Sequence, residues 1–292
     1  MKIGLHANPR KPRALELGQR LVARIGGRAD LVVSDEAVSV GPDLPHLPLA
    51  EMRPDVVVAI GGDGTFLYTL GRTSAPVLPI NAGTFGVLAE VAADRPADLD
   101  AAVERLLSGF YHLEERMKLG ADLGGQPLPD ATNEFLVHAA HAGKMGMFEV
   151  AFDDEVVGRI RADGLIVATP TGSTAYSLSS FGPLVDPGLD ALILTAIAPF
   201  RAVARAIVVE PLHTLRLRNI LPGREALAVA DGQAEFAMPP DSALTVYRSP
   251  RRATFVRFGS TFFDRLRGKR ILPWSEDLGE GGTDPADLPP PP

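Results

Sequence analysis

The chain has 292 residues, 46% of them hydrophobic and 22% charged, enough apolar material for two domains of ordinary size. Its 29 basic and 36 acidic side chains leave a formal charge of −7, which argues against the broad cationic surface that nucleic-acid binding needs. There is no cysteine, so disulfide frameworks, thiolate metal sites and thiol nucleophiles are excluded, and any catalytic group has to be an oxygen or a nitrogen.

In chain order, residues 2–7 read as a strand. A helix follows, with Pro12 at its start, Leu15, Leu21, Val22 and Ile25 at helical spacing, and Gly26-Gly27 as the stop. Residues 31–33, 56–60 and 77–80 are short β-branched runs bounded by turn residues, the pattern of strands buried on both faces of a parallel sheet. A helix after Asp94 places Leu99, Val103, Leu106 and Leu107 on one side, so residues 1–110 are expected to form an open α/β domain of Rossmann-like type.

From residue 111 the period becomes alternating, with candidate hairpins at Gly124-Gly125 and Asp153-Asp154. Residues 111–258 are therefore expected to form a β-rich domain. Its strands fall near 147–152, 156–161, 165–168, 206–209, 214–217, 227–229 and 244–247. Residues 261–270 read as helical, and a segment over 259–274 is expected to return to the first domain. The tail 275–292 is acidic and Pro-rich and is expected to be disordered. The apolar stretch 189–200 is too short to span a membrane and is interrupted by Asp190, and the first residues lack the apolar core of a secretory signal. The expectation is a cytoplasmic protein with neither membrane nor nucleic acid as partner.

Three segments carry chemistry. The first is Asp55-Val56-Val57-Val58-Ala59-Ile60 running into Gly61-Gly62-Asp63-Gly64-Thr65, with a helix beginning at Phe66. Glycines let a backbone approach phosphate closely, and the following helix offers free N–H groups to an anion. The turn has neither the Lys of a Walker loop nor the spacing of G-x-G-x-x-G. An acidic residue in such a turn makes sense if Asp63 takes the hydrogen bond or the proton of a hydroxyl, or acts through a bound Mg²⁺. The competing reading is a plain turn with Asp63 or Thr65 as a helix cap.

The second segment, Ile80-Asn81-Ala82-Gly83-Thr84-Phe85-Gly86-Val87-Leu88, also follows a buried strand, and neighbouring Gly-rich turns at strand carboxyl ends are where open α/β sheets bind ligands. The third runs from Arg161 through Asp163-Gly164 to Thr169-Pro170-Thr171-Gly172-Ser173-Thr174-Ala175-Tyr176-Ser177-Leu178-Ser179. Small hydroxylated residues with one flat ring suit a ligand that combines sugar and heteroaromatic parts. Asn133-Glu134 pairs an amide able to read a base edge with a carboxylate able to hold a ribose diol, although alone such a dipeptide is more often a surface turn. His138 and His141 lack a third partner for a metal and read as structural.

Together these segments resemble the ordered motifs of the NAD kinase family, as do Asp186-Pro187, Asp231-Gly232-Gln233 and Phe262-Phe263-Asp264-Arg265-Leu266. The Gly-Gly-Asp-Gly turn is shared with lipid kinases and phosphofructokinases, whereas the Thr-Pro-Thr-Gly-Ser-Thr-Ala-Tyr block is specific. The resemblance implies an N-terminal α/β domain, a β-sandwich-like C-terminal domain, and a homodimer or homotetramer. It also implies Mg²⁺- or other divalent-dependent phosphoryl transfer from ATP or polyphosphate to the 2′-hydroxyl of the adenosine ribose of NAD.

By matched position it implies that Asp63 contacts or deprotonates that hydroxyl. Gly61, Gly62, Gly64, Thr65 and Asn81 would hold the phosphates. Asn133, Glu134 and Gln233 would bind NAD, Asp163, Thr171, Thr174, Ala175, Tyr176 and Ser179 would line the dinucleotide pocket, partly from a neighbouring subunit, and Arg161 would add positive charge to the NAD site. No metal site built from protein ligands alone is expected. Three positions depart from the family pattern: Val87 where an aromatic is usual, Phe181 where Gly is usual, and Phe200 where His is common. Phe85 could supply the missing aromatic wall. A lipid or sugar kinase sharing the turn and a non-catalytic NAD- or NADP-binding sensor are the alternatives, and retention of Asp63 counts against the second.

Overall fold

Runs of β-branched residues alternate with amphipathic stretches in the first third of the chain, and they fold as parallel strands and covering helices. In the computed structural model, which describes residues 1–83, 86–93, 95–141, 143–153, 155–201, 204–268 and 271, this part comprises β1 (Lys2–Ala7), α1 (Pro12–Ile25), β2 (Asp30–Ser34), β3 (His46–Leu47), β4 (Val56–Gly61), α2 (Asp63–Leu70), β5 (Val77–Asn81) and α3 (Pro96–Leu107). The rest is mainly strand: β6 (His112–Leu123), β7 (Gln126–Ala131), β8 (Glu134–Ala139), β9 (Gly146–Phe152), β10 (Glu155–Ala162) and β11 (Gly164–Ala168). After α4 (Tyr176–Ser179) come β12 (Leu192–Ile197), β13 (Ile207–Val209), β14 (Leu215–Asn219), β15 (Ala226–Ala230), β16 (Ala234–Met238), β17 (Ala243–Arg257) and α5 (Phe262–Gly268).

Pro12 opens α1 without sacrificing a hydrogen bond, and Gly26 closes it in the left-handed conformation, donating its N–H to the Val22 carbonyl at 3.0 Å. The helix buries Leu17, Leu21 and Ile25 against Ile3 and Leu5 of β1 and against Leu99, Val103 and Leu106 of α3. The parallel strands lie in the order β5-β4-β1-β2-β3. From β1 the chain winds outward to β2 and β3, then returns to add β4 and β5 on the other side of β1. The switch in winding direction therefore falls between β1 and β4, and the crevice beyond their carboxyl ends is where such a sheet takes a ligand.

The antiparallel strands stack as two sheets around one core. Met117, Leu119, Phe148, Val150, Leu215, Leu217, Leu244 and Val246 face Phe135, Val137, Leu165, Val167, Leu192, Leu194 and Ala228 across it. The fold thus joins an α/β layer to a β-sandwich, as the motifs implied. The joint is β17: its first residues pair with β6 and β14, and Phe255 lies opposite Val77 of β5 in parallel register, so one sheet runs through both parts.

Several elements differ from the sequence expectation. The helix after the Gly-rich turn begins at Asp63 instead of Phe66, because an extended Gly62 already serves as its cap. β17 extends to Arg257, well past residue 247, since pairing with β6 resumes after an irregularity between Arg248 and Arg252. The 189–200 stretch contains the buried strand β12. Gly124 and Gly125, both at positive φ, form the β6–β7 turn. Asp94, the Asp154 half of the second turn, Phe85, residues 269–270 and the tail 275–292 lie outside the described residues.

Phe255 is fully buried at the joint between the two parts. Phe255→Ala is predicted to lower the unfolding free energy by about 3–5 kcal/mol, read from urea denaturation. A cost below about 1 kcal/mol would contradict a packed joint.

Candidate active site

Gly61 ends β4 where a Cβ would lie 2.3 Å from Thr65 Oγ1, so strand and helix can approach this closely only with glycine there. Asp63 is the first residue of α2, and its carboxylate accepts hydrogen bonds from the main-chain N–H groups of Val87 (2.9 Å) and Leu88 (3.3 Å). The two Gly-rich segments of the sequence therefore meet at this carboxylate. A Cβ on Gly86 would lie 3.2 Å from Asp63 Oδ1 and 3.5 Å from Asn81 Oδ1, so that glycine keeps the approach open. Asn81 is buried and folds its amide back onto Gly83, donating to the Gly83 carbonyl (2.5 Å) and accepting from its N–H (3.2 Å).

The 86–90 loop that holds Asp63 is itself anchored by buried charges. The Arg257 guanidinium donates to the Leu88 carbonyl at 2.9 Å and pairs with Glu114 (2.5 Å) and Glu90 (3.4 Å). Glu90 also accepts from the Phe258 N–H and the Ser260 hydroxyl. Burial alone would raise the Glu114 carboxyl, but Arg116 and Arg257 outweigh it and hold the pKa at about 2. Val87 packs its side chain beside Leu266, Leu184 and Phe262, so at this departure from the family pattern the residue is part of a small core and no wall of the crevice.

A second set of contacts closes the β-sandwich onto the turn. Gln233 donates its amide to the Gly64 carbonyl at 3.1 Å. Asp231, at φ +49, accepts from the N–H groups of Thr132 (2.8 Å), Asn133 (2.7 Å) and Glu134 (3.2 Å). Thr169 reinforces that loop through its N–H to the Asn133 carbonyl (2.8 Å) and its hydroxyl to the Thr132 carbonyl (2.7 Å). Gly172 passes so close that a Cβ would lie 2.2 Å from the Asn133 carbonyl oxygen, which accounts for glycine inside the hydroxyl-rich block. A cleft of about 480 Å³ opens between the two parts, lined among others by Asn8, Arg10, Thr65, Tyr68, Asp231 and Gln233.

Within this arrangement Asn133 Oδ1 and Glu134 Oε2 are buried and find no hydrogen-bond partner among the described residues. Burial raises the Glu134 carboxyl to about pKa 8, with the neighbouring Asp231 charge adding to the shift. Burial likewise raises Asp231, against the three N–H donors that pull it down. At neutral pH Glu134 is accordingly a neutral acid, able both to give and to accept a hydrogen bond, which suits a pair of hydroxyls.

The hydroxyl-rich block runs from Gly172 beside Asn133 to Tyr176. Tyr176 lines a second cleft of about 360 Å³ with Leu136, His138 and Asp163. The second cleft is lined by Leu136, His138 and Ala139 of β8, while the first meets the start of β8 only through Asp231, which accepts from the N–H groups of residues 132–134. Of the expected site residues, Gly64, Thr65 and Gln233 line the first cleft, and Asp163 and Tyr176 line the second. Asp63 and Asn81 meet across Gly86 next to the Gly-rich turn, and Asn133 and Glu134 are tied to the first cleft through their N–H bonds to Asp231. Thr171, Thr174 and Ala175 lie within the hydroxyl-rich block. Arg161 and Ser179 line neither cleft: Arg161 stacks over exposed Phe200 at 5.0 Å, and Ser179 lies beside Phe181 and Thr195. Phe181 is almost fully exposed at φ +64, a conformation that favours the glycine usual there.

Folded protein keeps the Glu134 proton up to about pH 8, whereas an unperturbed glutamate loses it near 4.5. Folding thus takes up a proton in that window, and stability falls as pH rises through it. Glu134→Gln removes this loss, so its Tm is predicted to gain on wild type by a few degrees between pH 5 and pH 8. A Tm difference that does not change with pH would contradict the assignment.

Comparison with known proteins gives a consistent family. Residues 46–111 match the ATP-NAD kinase N-terminal domain, and residues 132–258 match the ATP-NAD kinase C-terminal domain. The chain is 37% identical over 277 residues to an NAD kinase of Thermococcus kodakarensis, covering 92% of this chain and 98% of the relative. It is 36% identical over 292 residues to an NAD kinase of Methanothermobacter thermautotrophicus, covering 97% and 98%. Among solved structures, an NAD kinase from Archaeoglobus fulgidus in complex with ATP superposes with a TM-score of 0.71 at 26% identity, over 96% of this chain and all of that one. A yeast NADH kinase complexed with NADH shares the fold, with a TM-score of 0.82 at 22% identity, over 97% of this chain and 89% of that one. With matching domains in both parts and relatives this similar over nearly the whole length, the chain belongs to the ATP-NAD kinase family.

Proposed function

We propose that this NAD kinase moves the terminal phosphoryl group of ATP to the 2′-hydroxyl of the adenosine ribose of NAD, with Asp63 as the residue at the reacting oxygen. The observation that carries this reading is the Asp63 carboxylate, fixed by two main-chain N–H groups where both Gly-rich segments meet. One carboxylate aimed at an acceptor hydroxyl is what this chemistry requires of the protein, since most of the catalysis is positioning and charge stabilisation. Asp63 takes the hydroxyl proton, the oxygen forms the new bond to phosphorus, and the bond to the bridging oxygen breaks as ADP leaves with its electron pair.

Gly61, Gly62, Gly64, Thr65 and Asn81 border the donor phosphates in this reading. Asn133, Glu134 and Gln233 hold the adenosine half of NAD, and the stretch from Thr171 to Tyr176, with Asp163, follows the remainder of the dinucleotide along β8. The two orphaned acceptors, Asn133 Oδ1 and Glu134 Oε2, match a ligand rich in hydroxyl and amino donors. Among the described residues no three His, Asp or Glu side chains gather to hold a metal ion. That donor set fits Mg²⁺ that would be carried mainly by phosphate oxygens and water, with Asp63 as the carboxylate that would help to hold it. The ion supplies neutralisation of the charge that develops on the transferring group. Self-association as a homodimer or homotetramer is proposed from β13, an edge strand that exposes Ile207 and Val208.

Asp63→Asn keeps the shape of the side chain and removes the proton acceptor. It is predicted to cut kcat by at least about 10²-fold while leaving NAD affinity, measured by calorimetry, within a few-fold of wild type. Equal loss of turnover and NAD binding would contradict the role given to Asp63. NAD binding without NADP formation by the wild type would favour the sensor alternative.

A further inference from the structure

The Gly-Gly-Asp-Gly turn carries no lysine of its own, yet transfer of a polyanion calls for positive charge close to it. The fold brings one from elsewhere in the chain. Lys11 precedes α1 in the loop after β1, on the opposite side of the winding switch from the turn after β4. Its Nζ would lie 3.3 Å from a Cβ on Gly62 and 3.5 Å from one on Gly83. The latter position is also 3.8 Å from Asn81 Oδ1, the atom that neighbours Asp63 across Gly86. Lys11, Asn81 and Asp63 therefore border one small space floored by Gly62, Gly83 and Gly86.

The two loops are locked together. The Asn8 side chain donates to Thr65 Oγ1 at 2.9 Å, and the Asn8 N–H donates to the Ile60 carbonyl at 2.9 Å. Asn8 Oδ1 in turn accepts from the Arg10 N–H at 3.0 Å, which shapes the loop that delivers Lys11. Lys11 is largely solvent-exposed, so nothing in the core depends on its side chain.

We propose that Lys11 binds the polyphosphate chain of the phosphoryl donor, doing from the β1–α1 loop what the missing lysine of the β4–α2 turn would have done. The inference rests on the kinase reading for the identity of the donor. A point charge at the strand ends beside Asn81 holds the donor's phosphates opposite the Asp63 carboxylate, with the acceptor hydroxyl between the two.

The test is calorimetric binding of ATP, AMP and NAD to wild type, Lys11→Met and Lys11→Arg, with NADP formation measured alongside. Lys11→Met is expected to weaken ATP at least tenfold and to raise KM for ATP to a similar extent. AMP and NAD affinities are expected to stay within about twofold to threefold, and Lys11→Arg to recover most of the ATP affinity. Unchanged ATP affinity in Lys11→Met, or an equal loss for ATP, AMP and NAD, would overturn the proposal. If wild type binds ATP and forms no NADP, the kinase reading fails, while the comparison of ATP with AMP still decides the role of Lys11.

Discussion

Two main-chain N–H groups, those of Val87 and Leu88, hold the Asp63 carboxylate, and much of the architecture serves to keep them in place. A loop without regular structure cannot aim two donors at a fixed oxygen pair unless it is tied down from behind. Here the tie is the Leu88 carbonyl on the fully buried Arg257, with Glu90 and Glu114 compensating that charge. Such a network is costly to desolvate, and one unmatched member would destabilise it strongly, so its presence directly behind the loop that holds Asp63 points to positioning and not to stability. Arg116, forced down to about pKa 9 by burial and by the Arg257 charge, shows how crowded with cations the network is. Its link to the sheet comes through β17, which supplies Arg257 and also joins the α/β part to the sandwich.

The sandwich contributes the other wall. Gln233 reaches the Gly64 carbonyl, and two residues earlier Asp231 gathers the N–H groups of residues 132–134. One short turn thus registers the 132–134 loop against the Gly-rich turn after β4. The raised Glu134 carboxyl follows from this construction, since it is buried beside the Asp231 charge that organises its own backbone. A neutral acid next to an orphaned amide oxygen is poised for hydroxyl and amino donors more than for an anion.

The sequence made some of this readable and hid the rest for physical reasons. Strand, Gly-rich turn and helix at Val56–Leu70 could be read because local sterics write them: a β-branched run, glycines where the backbone must come close, and an apolar helix behind. The block from Thr169 to Tyr176 was readable from its small hydroxylated residues and single flat ring, whereas the reason for its glycine, the close approach of Gly172 to the Asn133 carbonyl, is visible only in the fold. Asp231 was visible only as part of a motif, because its partners are about a hundred residues away and come together through antiparallel pairing of β8 with β15. Lys11 gave no signal at all, since an exposed lysine at a helix start looks like any other until β1 and β4 are known to be neighbours. Arg161 and Ser179, close in sequence to the hydroxyl-rich block, line neither cleft within one chain: Arg161 stacks over Phe200 and Ser179 lies beside Phe181 and Thr195.

The most direct measurement is a crystal structure of the protein with NAD and a non-hydrolysable ATP analogue bound together. The account predicts the adenosine 2′-hydroxyl within about 2.6–3.2 Å of the Asp63 carboxylate, the terminal phosphate of the analogue between that hydroxyl and Lys11, and the ribose and base of NAD against Glu134 and Asn133. A complex in which a different side chain meets the 2′-hydroxyl, or in which the donor phosphates lie away from the crevice between β1 and β4, would contradict it.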